Sequence, residues 1–308
     1  MKSGPPLLND HSEVPPKIRV YLNLWNLAGL PAHSIWPGLD GLECLKRLEA
    51  DGFEGVQLTT DTPMVAGSTL PYCGVDKIDR PADADRIVKK HADRGDLCLT
   101  VHAGTGIEDD DEAYRIIDAI LAAAEKHSIP TFVETHRATI TQDLWRTVNL
   151  TKRFPEILFN GDFSHYYCGQ EMPYGDWNSK IEFMQPIFDR VAFMHGRISS
   201  SGCMQVPIDA DIRARPKQAH GKANYLEHFR ELWIRAMLGF LRRAQPGDFL
   251  IFAPEILSGV VYYARMFPDA FGQLIEESDR YQQALLYKDL ALDCFEEAKK
   301  LVSISTPQ

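Results

Sequence analysis

Two periodicities alternate along this chain, and that alternation constrains its fold more than any other feature. Short apolar, β-branched runs recur at residues 18–24 (IRVYLNL), 55–59 (GVQLT), 97–102 (LCLTVH), 130–134 (PTFVE), 157–162 (ILFNGD), 191–195 (VAFMH) and 249–255 (FLIFAPE). Each reads as a buried strand. A weaker run near 72–78 lies within the turn-rich stretch 60–80. Between the strands the apolar spacing is helical. Leu39, Leu42, Leu45 and Leu48 fall three apart over residues 39–50, and Gly52 ends the pattern. Residues 81–94 begin with Pro81 and are followed by Gly95, the asymmetry expected of a helix. Residues 110–127 start acidic and end in Lys126 and His127, as the helix dipole favours. Residues 141–154, 180–188, 225–244 and 281–301 complete the helical set. Strands that alternate with helices predict a parallel sheet covered by helices. Seven good strands and a weak eighth predict an α/β fold of the (β/α)8 TIM-barrel type. An open doubly wound sheet is the alternative, but the chain has neither GxGxxG nor a Walker A motif.

The 308 residues suit one barrel of about 250 residues plus extensions. The expected organisation is a flexible arm over 1–16, a catalytic barrel over 17–270, and a helical tail over 271–308 packed on the barrel or at an oligomer interface. With 44% hydrophobic and 25% charged residues, the composition is globular rather than disordered. Lys and Arg total 33 against 43 Asp and Glu, a net charge of −10 with no basic cluster, which argues against a nucleic-acid partner. No apolar run approaches the roughly 20 residues of a membrane span. The first 17 residues lack the apolar segment of a secretory signal. Cysteines at 44, 73, 98, 168, 203 and 294 form no CxxC pair, so free, inert thiols in a reducing cytoplasm are expected.

Four successive strands end in ligand-type residues: Glu134 in FVETHR, Asp162 in FNGDFSH, His195 in FMHGR and Glu255 in FAPEIL. A barrel carries its active site at the C-terminal ends of its strands, so these side chains converge. One such carboxylate is ordinarily a helix cap or ion-pair partner; four at consecutive strand ends point to a metal. Three carboxylates and an imidazole make a hard, oxygen-rich set, suited to Mn²⁺, with Mg²⁺ or Co²⁺ as alternatives. Without a cation, burying three like charges together is costly.

On these motifs the chain resembles the xylose isomerase-like barrel superfamily of sugar and sugar-phosphate isomerases and epimerases, which also holds dehydratases and metal-dependent repair endonucleases. The resemblance covers about residues 18–270. In the ketose 3-epimerase branch a Glu, Asp, His, Glu set from late strands holds the metal, which implies that role for Glu134, Asp162, His195 and Glu255. A substrate-binding His three residues after the metal Asp implies His165. An Arg shortly after the metal His implies Arg197. The branch has a further Glu six residues past the first metal Glu, where this chain has Ile140. The superfamily is usually dimeric or tetrameric, which implies a homo-oligomer.

Other polar residues carry two readings. His102 ends a strand and either touches substrate or is a satisfied structural histidine. His136 and Arg137 are site residues or loop ion-pair partners. Gln57 hydrogen-bonds a hydroxyl or the Glu134 surroundings, or simply packs. Trp25 and Trp36 fit core filling better than a sugar-stacking wall. His11, His33, His91, His127, His220 and His228 are expected at the surface. The Gly104–Thr105–Gly106 turn invites an anion-nest reading, yet Glu108, Asp109, Asp110 and Asp111 follow it, which favours a neutral sugar or keto-sugar over a sugar phosphate. The loop 198–222 is expected to be a lid. The expected chemistry is isomerisation or epimerisation through an enediolate, with Glu134 and Glu255 as acid and base. The alternatives are β-elimination by a lyase or dehydratase and, more distantly, a repair endonuclease or a non-catalytic sugar-binding barrel.

Overall fold

A computed structural model describes residues 7–59, 61–208 and 224–305. Eight strands close a wholly parallel barrel in sequence order: β1 (Lys17–Asn23), β2 (Gly55–Thr59), β3 (Tyr72–Ile78), β4 (Leu99–Ala103), β5 (Thr131–Glu134), β6 (Phe159–Asn160), β7 (Val191–Gly196) and β8 (Phe249–Pro254), with β8 pairing back to β1. Each expected run forms a strand, the weak one at 72–78 included.

Side-chain alternation along a strand splits the core in two. Val20, Leu22, Val56, Leu58, Val101, Val133, Met194 and Phe252 point outward into the layer shared with the helices. Tyr21, Cys73, Cys98, Phe132, Leu158, Phe193 and Ile251 pack together inside the barrel. Gly55 makes room for Tyr21, since a Cβ there would lie 2.4 Å from its ring. Two residues further along the same faces stand Asn23, Glu134, Asn160 and His195. The interior is therefore apolar below and polar at the C-terminal rim.

The surrounding helices are α1 (Gly41–Ala50), α2 (Pro81–Arg94), α3 (Asp110–His127), α4 (Leu144–Arg153), α5 (Ser164–Gly169), α6 (Trp177–Phe183), α7 (Gln185–Phe188), α8 (Tyr225–Leu241) and α9 (Arg280–Ser305). Three differ from the sequence reading. Helix α4 starts late because Asp143 caps it, accepting from the Arg146 N–H. The helix expected over 180–188 is two pieces, α6 and α7, with Pro186 in the first turn of the second. Helix α5 follows Asp162 directly and is too short to show a periodicity. Helix α9 packs on α8 and along β1 and β8, in the place of the eighth barrel helix. Ahead of it, β9 (Met266–Pro268) and β10 (Leu274–Glu276) form an antiparallel hairpin that spans the position where the C-terminal tail was expected to begin.

The expected N-terminal arm is anchored over residues 7–16. Leu8 is 3% exposed and packs with the lower interior layer. Its carbonyl accepts from the Phe249 N–H at 2.9 Å. Asn9 donates to Asp248 at 2.7 Å, and Asp10 pairs with Lys17 at 2.7 Å and Arg19 at 2.5 Å. The arm thus closes the N-terminal end of the barrel. His91, expected at the surface, is buried between Asp96 at 2.6 Å and Asp76 at 3.2 Å; the absent side chain of Gly74 leaves the space for its ring. Of the expected lid, residues 198–208 are tucked in through Ile198, Met204 and Ile208, while 209–222, His220 among them, lie outside the described residues. No helix among the described residues is long and apolar enough to cross a membrane.

Truncating the anchor should be felt. Leu8→Ala is expected to lower the unfolding free energy by about 2–3 kcal/mol, the low end for a buried Leu at a site that can partly collapse. An unfolding free energy from urea titration within about 0.5 kcal/mol of the wild type, the usual range for surface changes, would mean that the arm does not pack in solution.

Candidate metal centre at the barrel mouth

The strand-end rule delivers four side chains to one point. Glu134 ends β5, Asp162 follows β6, His195 lies in β7 and Glu255 follows β8. All four are buried, and their ligand atoms lie within 4.8 Å of one another. His195 sits at the centre: its Nδ1 is 3.3 Å from Glu134 Oε2 and 3.4 Å from Glu255 Oε2. Its Nε2 is 2.8 Å from Gln57 Oε1. An amide oxygen only accepts, so Nε2 carries the proton and Nδ1 is the ligand-side nitrogen.

Polar neighbours hold the carboxylates in place. Asn23 donates to both Gln57 Oε1 and Glu255 Oε1 at 3.0 Å. Asn160 donates to Glu134 Oε2 at 3.3 Å, and the Ser164 N–H donates to Asp162 Oδ1 at 3.0 Å. Arg197 lies two residues past His195 on the same face of the chain. Its Nη2 pairs with Asp162 Oδ2 at 3.1 Å and contacts Glu255 Oε2 directly. The ring of Tyr263, from the segment after β8, covers this guanidinium at 4.5 Å.

The other sequence candidates fall nearby. His165, in α5, is buried, with Nε2 3.4 Å from Asp162 Oδ2. His102 Nε2 is 3.0 Å from Glu134 Oε2. The ring of His136 lies between those of His102 and His165, with centroids 4.3 and 3.8 Å away. Gln57 faces His195 rather than open space. Trp36 packs edge-on against Tyr281 at 4.6 Å. Asn23, Asn160, Ser164 and Tyr263 were not among the sequence candidates. Asn23 and Asn160 obey the same strand-end rule as the ligands and were legible by it; Tyr263 carries no such signal.

Electrostatics follow from burial and mutual charge. Burial alone would raise the carboxyl groups of Glu134 and Asp162. His102 and His195 instead bring Glu134 well below the ordinary range, and Arg197 and His165 do the same for Asp162. Burial disfavours the His195 cation, but Glu255 and Glu134 outweigh it and lift its pKa to about 9. Burial and the neighbouring histidines His165 and His102 push His136 down to about 2.

Two features bear on whether a divalent cation fits here. The donor set is oxygen-rich with one imidazole, the hard pattern of Mn²⁺ or Mg²⁺. Several buried polar atoms also have no hydrogen-bond partner: Glu134 Oε1, His165 Nδ1, and Nε and Nη1 of Arg197, while Asp162 Oδ2, His195 Nδ1 and His165 Nε2 have ion-pair contacts only. Such atoms are rare in folded proteins unless a ligand serves them. The residues therefore fit a cation with a polar molecule beside it.

The turn after β4 does not present an open anion nest. Gly104 and Gly106 adopt positive φ, at 68° and 88°, which glycine tolerates. The Glu108 carboxylate fills the turn itself, accepting from the Thr105 N–H at 2.7 Å, the Thr105 hydroxyl at 2.8 Å and the Gly106 N–H at 2.8 Å.

No family model and no curated protein sequence matches this chain. Solved structures do resemble it. A D-tagatose 3-epimerase-like protein aligns with a TM-score of 0.53 at 10% identity, over 92% of this chain and all (100%) of the other. A sugar phosphate isomerase/epimerase from Parabacteroides distasonis aligns at 0.52 and 14% identity, over 92% of this chain and 94% of the other. At such identities the likeness establishes the fold alone, a (β/α)8 barrel.

The charge pattern sets a pH dependence for the chelator-treated protein. His195 has a folded pKa of about 9, above the ordinary 6.5, so its stabilising pairs are fully present below about 6.5 and lost as pH rises through 9. Glu134 and Asp162 are depressed when folded, so their contribution is present above the unfolded carboxylate range and lost as pH falls below it. Urea midpoints should peak near pH 5–6 and fall toward pH 9.5. His195→Gln should flatten the alkaline limb. An equally steep alkaline limb in that variant would remove His195 as its source.

Proposed function

We propose that this protein is a divalent-metal-dependent enzyme that moves a proton next to the carbonyl of a neutral ketose or keto-sugar, as an isomerase or epimerase. The observation that carries this reading is the meeting of Glu134, Asp162, His195 and Glu255 within 4.8 Å, beside buried polar atoms that have no hydrogen-bond partner. Mn²⁺ is the cation the set suits best. A divalent ion bound there would polarise the substrate carbonyl and its adjacent hydroxyl as a Lewis acid.

The chain's own residues supply the rest. Glu134 and Glu255 come from strands that are not neighbours and flank His195 from two sides. One removes the proton from carbon, and the other delivers a proton on the opposite face. The spare donors of Arg197, with His165, face the charge that develops on the substrate oxygens. Tyr263 keeps water from the guanidinium. Glu108, by filling the turn at 104–106 with the protein's own carboxylate, leaves no ready seat there for a phosphate and supports a neutral substrate. The same two carboxylates suit β-elimination, and the buried, apolar Ile140, where the epimerase branch has a substrate Glu, favours that lyase reading as the second choice. The protein would work as a homo-oligomer in the cytoplasm.

Proton chemistry at carbon is read directly by isotope. Incubation with ketoses and keto-glycosides and Mn²⁺ in deuterated water should place label at a ring carbon. Chelation should abolish the exchange, and metal should restore it. His195→Ala and Asp162→Ala should each lose bound metal; full occupancy in both would sink the ligand assignment.

The glutamates need a gentler change. Glu255→Gln keeps an oxygen ligand but loses the basic charge. While metal-loaded, it should lose exchange by about 10²–10⁴-fold, the usual contribution of a general base. Glu134→Gln should do likewise for the opposite face. An epimerase would then fail with one substrate epimer per variant, whereas a lyase would be partly rescued in one variant by a better leaving group. Near-normal turnover in both metal-loaded variants would exclude this acid–base pair.

A further inference from the structure

Glu255 stands one residue past the end of β8, where the strand ladder with β1 no longer reaches. The β1–β8 pairing stops at Val20 and Phe252, although on the β7 side the Glu255 N–H still donates to the Gly196 carbonyl at 3.1 Å. A side chain takes over from the missing ladder. Asn26 lies in the short 3₁₀ turn Leu24–Leu27 that follows β1, and it is fully buried. Its Nδ2 donates to the Pro254 carbonyl at 2.7 Å, and its Oδ1 accepts from the Ile256 N–H. Those are the main-chain groups on either side of Glu255. A carboxamide carries a donor and an acceptor side by side, as a peptide group does, so Asn26 serves both flanks at once. Three residues earlier, Asn23 holds the Glu255 side chain itself, donating to Oε1 at 3.0 Å. The end of β1 thus grips Glu255 twice.

The turn that carries Asn26 is held in its own right. Arg280, fully buried at the start of α9, donates through Nη1 to the Asn26 carbonyl at 2.5 Å. Through Nη2 it donates to the carbonyls of Ala28 at 2.9 Å and Gly29 at 2.7 Å. Its Nε pairs with Glu276 Oε2 at 2.7 Å, and the other oxygen of Glu276 accepts from the Gly259 N–H at 3.0 Å. The circuit therefore closes on the segment that follows Glu255. Neither Asn26 nor Arg280 belongs to the metal-type ligand set.

We propose that Asn26 is a positioning residue for Glu255. By bonding the main chain on both flanks it sets the direction in which that carboxylate points, and Arg280 sets Asn26. The consequence for chemistry rests on the reading of Glu255 as a metal ligand and proton carrier; the positioning does not. A carboxylate with those tasks has to be held to within about 0.5 Å of its working place by surroundings that are themselves locked. A side chain hung on main chain without those bonds would not be.

Two measurements separate the positioning from the reading it serves. The first is the crystal structure of chelator-treated protein, wild type against Asn26→Ala. In the variant the Glu255 carboxylate should leave Asn23 and Arg197, while Glu134, Asp162 and His195 stay in place; a general packing defect would not single out one member of the four. The second is a Mn²⁺ titration followed by the electron paramagnetic resonance of the free ion. Asn26→Ala should bind Mn²⁺ at least about tenfold more weakly, the lower bound for losing an outer partner of a metal site. Arg280→Lys keeps a charge beside Glu276 but loses the planar fork. It should move both readouts the same way and by less, and it carries the test if Asn26→Ala does not fold. A Glu255 carboxylate that keeps its wild-type place in the folded variants overturns the positioning. A displaced carboxylate, with Mn²⁺ binding absent from the wild type or unchanged in the variant, upholds the positioning and overturns the metal reading of Glu255 instead.

Discussion

A guanidinium buried against two carboxylates, with a third close by, is the interaction on which the mouth of this barrel depends. Arg197 is fully buried and pairs with Asp162 and Glu255, while His195 stands between Glu255 and Glu134. Two cations thus oppose three anions in a space without bulk water. The divalent ion proposed for this site would change that balance: His195 would hold it through an unprotonated Nδ1, and the ion and Arg197 together would match the three carboxylates. Removing one member of such a buried set leaves an uncompensated charge, at a cost of about 3–5 kcal/mol. Asn23, Asn160 and Ser164 each give one oxygen of Glu255, Glu134 and Asp162 a fixed donor, and Gln57 accepts from His195.

The geometry that gathers these groups is ordinary strand alternation. Phe132 and Glu134, Leu158 and Asn160, Phe193 and His195 are pairs two residues apart on one face. The lower member of each pair fills the barrel and the upper member lines its mouth. A slip of one residue in any strand would exchange an inward apolar residue for one meant to face the helices. Fold and site are therefore specified by the same register, and the packed layer below holds the polar layer above at fixed spacing.

Much of this was legible in the sequence because it is periodic. The strands, the barrel, and the convergence of Glu134, Asp162, His195 and Glu255 all follow from spacing and from the rule that strand ends meet. What was illegible has no period. Helix α5 is shorter than two turns. The β9–β10 hairpin exposes Phe267, Phe271 and Leu274, so its apolar residues imitate neither a strand nor a helix of the core. The burial of His91 depends on the missing side chain of Gly74, a contact between a strand and a helix that no local pattern announces. The pairing of Gln57 with His195 spans 138 residues and fixes a tautomer, a detail visible only once the barrel has closed. Tyr263 reaches Arg197 from a loop whose composition carries no hint of its target.

The arm that closes the N-terminal end has a consequence for traffic. With Leu8 set under the apolar interior layer and Asn9 and Asp10 fastened to the strand starts, the N-terminal end of the barrel is packed, and the carboxylates stand at the opposite end of the strands. Were the proposed cation and sugar both to bind at that end, they would share one approach, and a bound sugar would then slow the removal of the cation by a chelator.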